Sequence, residues 1–282
     1  MFMLGSDFED ATPVVPAESD LQAAVARSSM PAVYTILTIW QSSPEMLDES
    51  GAISPRWTTS ALMIAVEKAR SDIVSLLLAV SNDDKLPVLD ALRVGSIRNF
   101  EAFLWNGWDI NEQVKMDGPP ALGYAMHSKE LVVWFLEQGA DPNAGYEYDT
   151  ALSRAALSGT TEMINMLLSH GGDVRKGDVL NWAVEREDDA CEITKLLLER
   201  GAQPNRLRFD GQEPQWSVFG MRDGLGTPLH RAIILGCADL VTILLAHGAD
   251  SEIENTNGKT ASQLAVESGK PEIMKLLDEF HA

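Results

Sequence analysis

The chain has 282 residues, of which 45% are hydrophobic, and a formal net charge of −20. This length and apolar content are sufficient for a buried core. The negative charge argues against duplex nucleic acid and anionic membranes as partners and is compatible with a basic protein partner. No apolar run approaches the roughly 20 residues of a membrane-spanning helix.

The two cysteines have neither the number nor the spacing of a disulfide framework or a zinc site. The N-terminus is acidic and lacks the pattern of a secretory signal peptide. From the sequence we therefore expect no metal, no cofactor and a location in the reducing cytoplasm or the nucleus.

Along the chain, we predict an acidic tail over residues 1–18 and then repeated helix pairs over 19–282. A Ser, Thr or Asp at a recurring position would cap the first helix of each pair. These predicted N-caps are Ser19, Ser60, Thr150, Asp178, Thr227 and Thr260, and Pro87 and Pro120 hold the same position in two weaker copies. Apolar spacing predicts the second helices over 33–40, 73–80, 97–105, 131–138, 163–170, 193–200, 240–247 and 272–280.

The clearest copy begins Thr-Pro-Leu-His-Arg-Ala at Thr227, and closing Gly-Ala sequences start at Gly139, Gly201 and Gly248. This pattern resembles the ankyrin repeat, whose period is about 33 residues and whose signature is T-P-L-H-x-A. The resemblance covers 19–282. It implies an all-α solenoid of about eight helix-turn-helix repeats with short β-hairpin fingers between them.

Two neighbouring connections depart from the repeat length. Only Lys176 and Gly177 precede the cap Asp178 after one repeat closes, so that finger is nearly deleted. The next connection, 206–226, is 21 residues long and carries several aromatic residues. Such a loop either packs on the protein's own fingers or forms one wall of a binding site.

We therefore predict that residues 146–158, 182–186 and 209–222 surround one concave site. The expected ligand- or partner-binding side chains are aromatic or charged: Tyr146, Tyr148, Arg154, Trp182, Glu185, Arg186, Phe209, Trp216, Phe219 and Arg222.

The sequence contains no Ser/His/Asp order, glycine-rich phosphate loop or metal-binding motif. Two functions remain open. The resemblance implies a scaffold that binds a protein or peptide, which the acidity predicts to be basic. The alternative is a small-molecule site or an unusual enzyme with 206–226 as its lid, for which the candidate catalytic residues are His127, Arg154 and Glu185.

Overall fold

The computed structural model describes residues 14–82, 85–116, 118–210 and 225–281. Apart from one short hairpin and a 3₁₀ turn, the regular structure of these ranges is α-helical. The chain divides into two compact units, Met1–Asp109 and Ile110–Ala282. The longest of the described helices has 13 residues, and none has the length and apolar character needed to cross a membrane.

The first unit contains three helix pairs. The helices are α1 (Glu18–Ala26), α2 (Met30–Gln41), α3 (Pro55–Glu67), α4 (Ser71–Val80), α5 (Val88–Val94) and α6 (Ile97–Trp105), with the 3₁₀ turn Pro44–Met46 after α2. First helices pack on first helices and second helices on second helices. Each pair buries its apolar face against its neighbours, and the largest fully buried side chains of this unit are Trp40, Phe100 and Phe103.

The second unit contains five more pairs. The helices are α7 (Ala121–Tyr124), α8 (Lys129–Glu137), α9 (Ala151–Ser158), α10 (Thr161–Ser169), α11 (Val179–Ala183), α12 (Ala190–Glu199), α13 (Pro228–Leu235), α14 (Ala238–Ala246), α15 (Ala261–Glu267) and α16 (Pro271–His281). Strands β1 (Gly145–Tyr146) and β2 (Asp149–Thr150) form an antiparallel hairpin before α9. The eight described pairs confirm the predicted all-α fold of repeated helix pairs.

Most of the predicted caps start helices, but two do not. Thr150, Asp178, Thr227 and Thr260 directly precede α9, α11, α13 and α15. Ser19 lies inside α1, because the Asp20 carboxylate accepts a hydrogen bond from the Ala17 N–H and starts the helix earlier. Ser60 lies inside α3, which begins at Pro55, a residue whose fixed φ suits the first helical turn.

One pair of first helices packs less closely than its neighbours. α9 packs closely on α11, and α13 on α15, but α11 and α13 touch at few positions. α11 has only five residues. The long connection between Asn205 and Thr227 also enters the stack here. The irregularity in connection length therefore produces a gap between the first helices of two adjacent repeats.

Candidate binding site

The two ends of the long connection are fixed to the repeats on either side. We call residues 206–210 and 225–226 the stem. The Arg208 N–H donates to the Gly226 carbonyl at 3.1 Å, which joins the two arms. The Leu225 N–H donates to Thr256 Oγ1 at 2.7 Å, and the Asn181 side chain donates to the Arg206 carbonyl at 3.2 Å. The two arms of the stem are thus bonded to each other and to the repeats on either side.

Asp178 holds the first arm of the stem. Its side chain is fully buried, and Oδ2 accepts a 2.7 Å hydrogen bond from the Phe209 N–H. Arg206 Nε lies 3.0 Å from Oδ1, close enough for an ion pair although not aligned for a hydrogen bond. The carboxylate makes no capping bond to its own helix. A residue predicted as an N-cap therefore binds a segment that lies 31 positions later in the chain.

Burial also changes the acidity of this carboxyl. It raises the pKa of Asp178 to about 6, while the Phe209 N–H and the charges of Arg206 and Arg208 act in the opposite direction. In an unfolded chain the same carboxyl titrates near pH 4. The stability contributed by its protonated form is therefore fully present below about pH 4 and is lost as the pH rises through about 6.

An aromatic cluster lies beside the shortened connection at Lys176 and Gly177. Tyr148, Phe209 and Leu225 are buried together, and Tyr146 and Trp182 pack against them. The Tyr148 and Phe209 rings meet edge to face at 5.1 Å. Trp182 Nε1 donates to the Tyr148 carbonyl at 3.2 Å. The aromatic residues at 146, 148, 182 and 209 therefore come together beside the shortened connection.

A cavity lies one repeat further along, on the other side of Phe209. This cavity has a volume of about 550 Å³ and occupies the gap between α11 and α13. The α11 side supplies Asn181, Trp182 and Glu185, α13 supplies His230, Arg231 and Ile234, and the stem supplies Arg208, Phe209 and Leu225. Arg154, Leu157 and Ser158, which belong to the predicted site range 146–158, are absent from the lining.

Two arginines in the cavity share one carboxylate. Arg208 Nη1 donates to Glu185 Oε1 at 2.9 Å, and Arg231 Nη2 donates to Glu185 Oε2 at 2.7 Å. The Arg208 guanidinium also lies 4.7 Å from the Trp182 ring centre, within cation–π range. Nε of each arginine is buried without a hydrogen-bond partner in the described part of the chain. The cavity therefore has more cationic hydrogen-bond donors than acceptors.

His230 is a structural member of the cavity wall. Its Nδ1 accepts from the Thr227 N–H at 3.2 Å, and Nε2 lies 3.1 Å from the Lys259 carbonyl. Burial lowers the pKa of His230. An Nδ1 acceptor with an Nε2 donor is the arrangement of a neutral imidazole. Nδ1 is bonded within its own repeat and Nε2 contacts the next repeat, so this histidine does not offer a free base to the cavity.

A second, more open recess lies beside the shortened connection. It has a volume of about 310 Å³, with Tyr146 and Glu147 on one side and Arg175, Lys176 and Arg206 on the other. Here too, basic side chains outnumber acidic ones. Two recesses near the stem are thus lined by more basic than acidic side chains, and in this second recess Arg175 and Arg206 pair with Asp173 and Asp178.

Three of the other predicted residues lie outside the cavity. Arg154 makes a two-point contact with the buried Asp149 carboxylate, and its guanidinium stacks 5.6 Å from the Trp182 ring centre. Arg186 is committed to Asp189 and to the Ala156 and Gly159 carbonyls. His127 is exposed, and its Nδ1 lies 3.2 Å from the Tyr124 carbonyl. Trp216, Phe219 and Arg222 fall outside the described residues.

Sequence reasoning missed the residues that give the cavity its charge and its far wall. Arg231 and Ile234 belong to the most regular repeat, and Arg208 lies just before the predicted aromatic segment. The sequence does contain a signal for these basic residues, the Arg-x-Arg pattern at Arg206 and Arg208. This pattern follows a repeat whose predicted N-cap is an aspartate, Asp178. Within the described ranges, no group of three or more His, Cys, Asp or Glu side chains could hold a metal ion.

Comparison with known proteins gives a consistent result. A family model described as ankyrin repeats (3 copies) matches residues 88–178, 121–208 and 180–280. The chain is 35% identical over 118 residues to ankyrin repeat and SOCS box protein 11 of Danio rerio, covering 40% of this chain and 34% of that protein. It is 29% identical over 103 residues to ankyrin repeat and SOCS box protein 5 of Homo sapiens, covering 36% and 31%.

A third relative is the 2-5A-dependent ribonuclease of Homo sapiens, 35% identical over 96 residues, or 34% of this chain and 11% of that protein. The matches span about a third or less of the length of these relatives.

Proposed function

Because the chain belongs to the ankyrin-repeat family, we propose that it is a protein-interaction module whose partner binds at the cavity between α11 and α13. Stacked repeats generate extended surfaces that other proteins bind. Membership of the ankyrin-repeat family supports a protein as the partner, and the cavity supports the position at which that partner binds. The observation that carries the placement is the gap between two first helices, lined by apolar and charged side chains that the regular packing would have covered.

The lining has the composition of a protein-binding site. Aromatic residues and arginines dominate the energy of protein interfaces, because they combine a large contact area with directional hydrogen bonds. The cavity offers Trp182, Phe209, Arg208 and Arg231, together with Ile234, which is 42% exposed. The stem is fixed to both neighbouring repeats, so binding would order few additional residues at this wall.

A bulky, uncharged substitution at the rim tests the proposal. Ile234→Trp should fill part of the cavity and weaken a native partner by at least about ten-fold, the order expected when an interface anchor is lost. Leu235→Trp makes a similar change at the next position of α13, where the side chain is 46% exposed and does not line the cavity.

The measurement has two stages. Partners are first captured with the unmodified chain and identified by mass spectrometry, and each purified partner is then titrated against the three chains. Loss of binding with Ile234→Trp but not with Leu235→Trp is the expected result. Equal affinity for all three chains would place the partner elsewhere and contradict the proposal.

A small molecule is the second candidate, because about 550 Å³ is within the range of cavities that hold such ligands. Within this alternative, binding has more support than catalysis. His127 and Arg154 lie outside the cavity, and Glu185 is paired with two arginines. Mass spectrometry of the unmodified chain under non-denaturing conditions would favour this function if it showed a bound compound that the Ile234→Trp chain lacks.

A further inference from the structure

We infer that the cavity between α11 and α13 recognises a carboxylate side chain of an acidic peptide segment, flanked by an apolar residue. This inference rests on the proposed function and adds the chemistry of the partner. It differs from the basic partner that the net charge of −20 favours. The local charge around the cavity, rather than the total charge, carries the argument.

The charge balance of the cavity is the first observation. Its described lining contains two guanidinium groups, Arg208 and Arg231, and one carboxylate, Glu185. The other buried acids nearby have their own arginines, since Asp178 pairs with Arg206 and Asp149 with Arg154. The described part of the lining therefore carries one uncompensated positive charge in a partly desolvated position.

Hydrogen-bond capacity is the second observation. A guanidinium has five N–H donors. In the described part of the chain, each of the two groups donates one side-chain hydrogen bond, to Glu185, which leaves its other terminal N–H groups unused. A ligand that supplies acceptors can pair with these terminal N–H groups, because the Arg208 and Arg231 side chains are 23% and 39% exposed. A carboxylate fits because its two oxygens match the planar donor pair of a guanidinium.

The apolar part of the cavity defines the neighbour of that carboxylate. Phe209 and Leu225 form one wall and Ile234 forms the rim opposite. An aliphatic or aromatic side chain beside the acidic residue would cover this surface while the carboxylate reaches the arginines.

The second recess extends the same charge pattern along the surface. Lys176 lines it with Glu147 opposite, and Arg175 and Arg206 contribute N–H donors although they pair with Asp173 and Asp178. Both recesses lie beside the stem, so an extended segment with more than one acidic residue could contact both. Screening in physiological salt limits the repulsion of distant acidic residues to about 8 Å. An acidic segment is therefore compatible with a chain that is acidic elsewhere.

Two substitutions with opposite expected effects test this inference. Arg231→Gln leaves only the Arg208 guanidinium to pair with Glu185, and it should lower the affinity for acidic peptides by at least about ten-fold. Glu185→Gln removes the competing carboxylate and should leave their affinity unchanged or increase it. If the cavity instead bound a basic segment, Glu185 would be its acceptor, and Glu185→Gln would be the damaging change.

The probe is a displayed library of random 12-residue peptides, selected on the purified full chain. Excess soluble Ile234→Trp chain is added during the selection and removes peptides that bind outside the cavity. Arg200→Gln serves as the control variant, because Arg200 is exposed at the end of α12. We expect enriched peptides to contain Asp or Glu beside an apolar residue, and isothermal titration to give the pattern of affinities described above.

Enrichment of basic or uncharged peptides at the cavity would overturn the inference while leaving the proposed function intact. Failure to enrich any cavity-dependent peptide would also overturn it. If a native partner loses affinity with Ile234→Trp but not with Arg231→Gln, the cavity is the binding site but a carboxylate is not what it recognises. Should the native partner bind all variants equally, the proposed function itself fails.

Discussion

Replacement of Asp178 by alanine should lower the free energy of unfolding of the second unit by about 3 kcal/mol at neutral pH. The substitution leaves the Phe209 N–H without its acceptor and the Arg206 side chain without its ion-pair partner. The Phe209 N–H is buried in the aromatic cluster, whereas the Arg206 side chain is 22% exposed, so the buried N–H accounts for most of the expected loss. Urea unfolding of the full chain, followed by the fluorescence of its tryptophans, measures the loss.

Asp178→Asn is the matched control. The amide retains an acceptor for the Phe209 N–H and removes only the charge, so we expect a loss of about 1 kcal/mol or less. Because the pKa of Asp178 is raised to about 6, the unmodified chain loses stability as the pH rises from 5 to 7, whereas Asp178→Asn does not. The excess in free energy of unfolding of the unmodified chain over Asp178→Asn should therefore shrink or reverse sign over this range. Equal losses for the alanine and asparagine variants would show that the carboxyl group does not hold the stem.

Gly177→Ala should cost a similar amount, about 3 kcal/mol, for a different reason. Gly177 has a φ of +69°, which is in the left-handed region. A Cβ built at this position would overlap the Ser153 hydroxyl and lie 2.9 Å from Thr150 Oγ1. The shortened connection therefore passes against the start of α9, and only glycine fits between them.

Gly258→Ala separates the two contributions to this loss. Gly258 has nearly the same backbone conformation, with a φ of +70°, but its Cβ would meet nothing closer than a flexible glutamate oxygen at 4.0 Å. Conformation alone costs about 1 kcal/mol. The same urea titration should therefore give a clearly larger loss for Gly177→Ala, and equal losses for the two variants would refute close packing at the shortened connection.

The repeated signals in the sequence were sufficient to predict the fold. Caps and glycine closures recur because every repeat solves the same local problem of starting and ending two helices. The exceptions arose where local signals competed. Ser60 is a good cap in isolation, but Pro55 starts the helix earlier, and a serine inside a helix does not end it.

The binding site was only partly predictable, because its position depends on tertiary contacts. The unusual lengths of two adjacent connections indicated the correct region, and Trp182, Glu185 and Phe209 do line the cavity. The pattern did not show that Phe209 would turn back onto Tyr148, which it does with a positive φ of 57° that is rare outside glycine. A recess remains beside the shortened connection, and the cavity between α11 and α13 lies one repeat further along.

The charge of the cavity could not be predicted from composition. A net charge of −20 describes the whole chain, whereas recognition depends on the few groups that lie within a Debye length of the ligand. Arg208 and Arg231 are 23 positions apart in the sequence, and both donate to Glu185. Their convergence is a property of the stacked repeats that no single repeat displays.

Site-specific photocrosslinking tests the central claim most directly. The photoreactive residue p-benzoylphenylalanine is placed at Ile234 on the cavity rim or at Lys195, which is exposed on α12. The native partner should crosslink from position 234 and not from position 195, and mass spectrometry should map the crosslink to an acidic segment of the partner. Crosslinking from position 195 without crosslinking from position 234 would contradict the claim that the partner binds at the cavity.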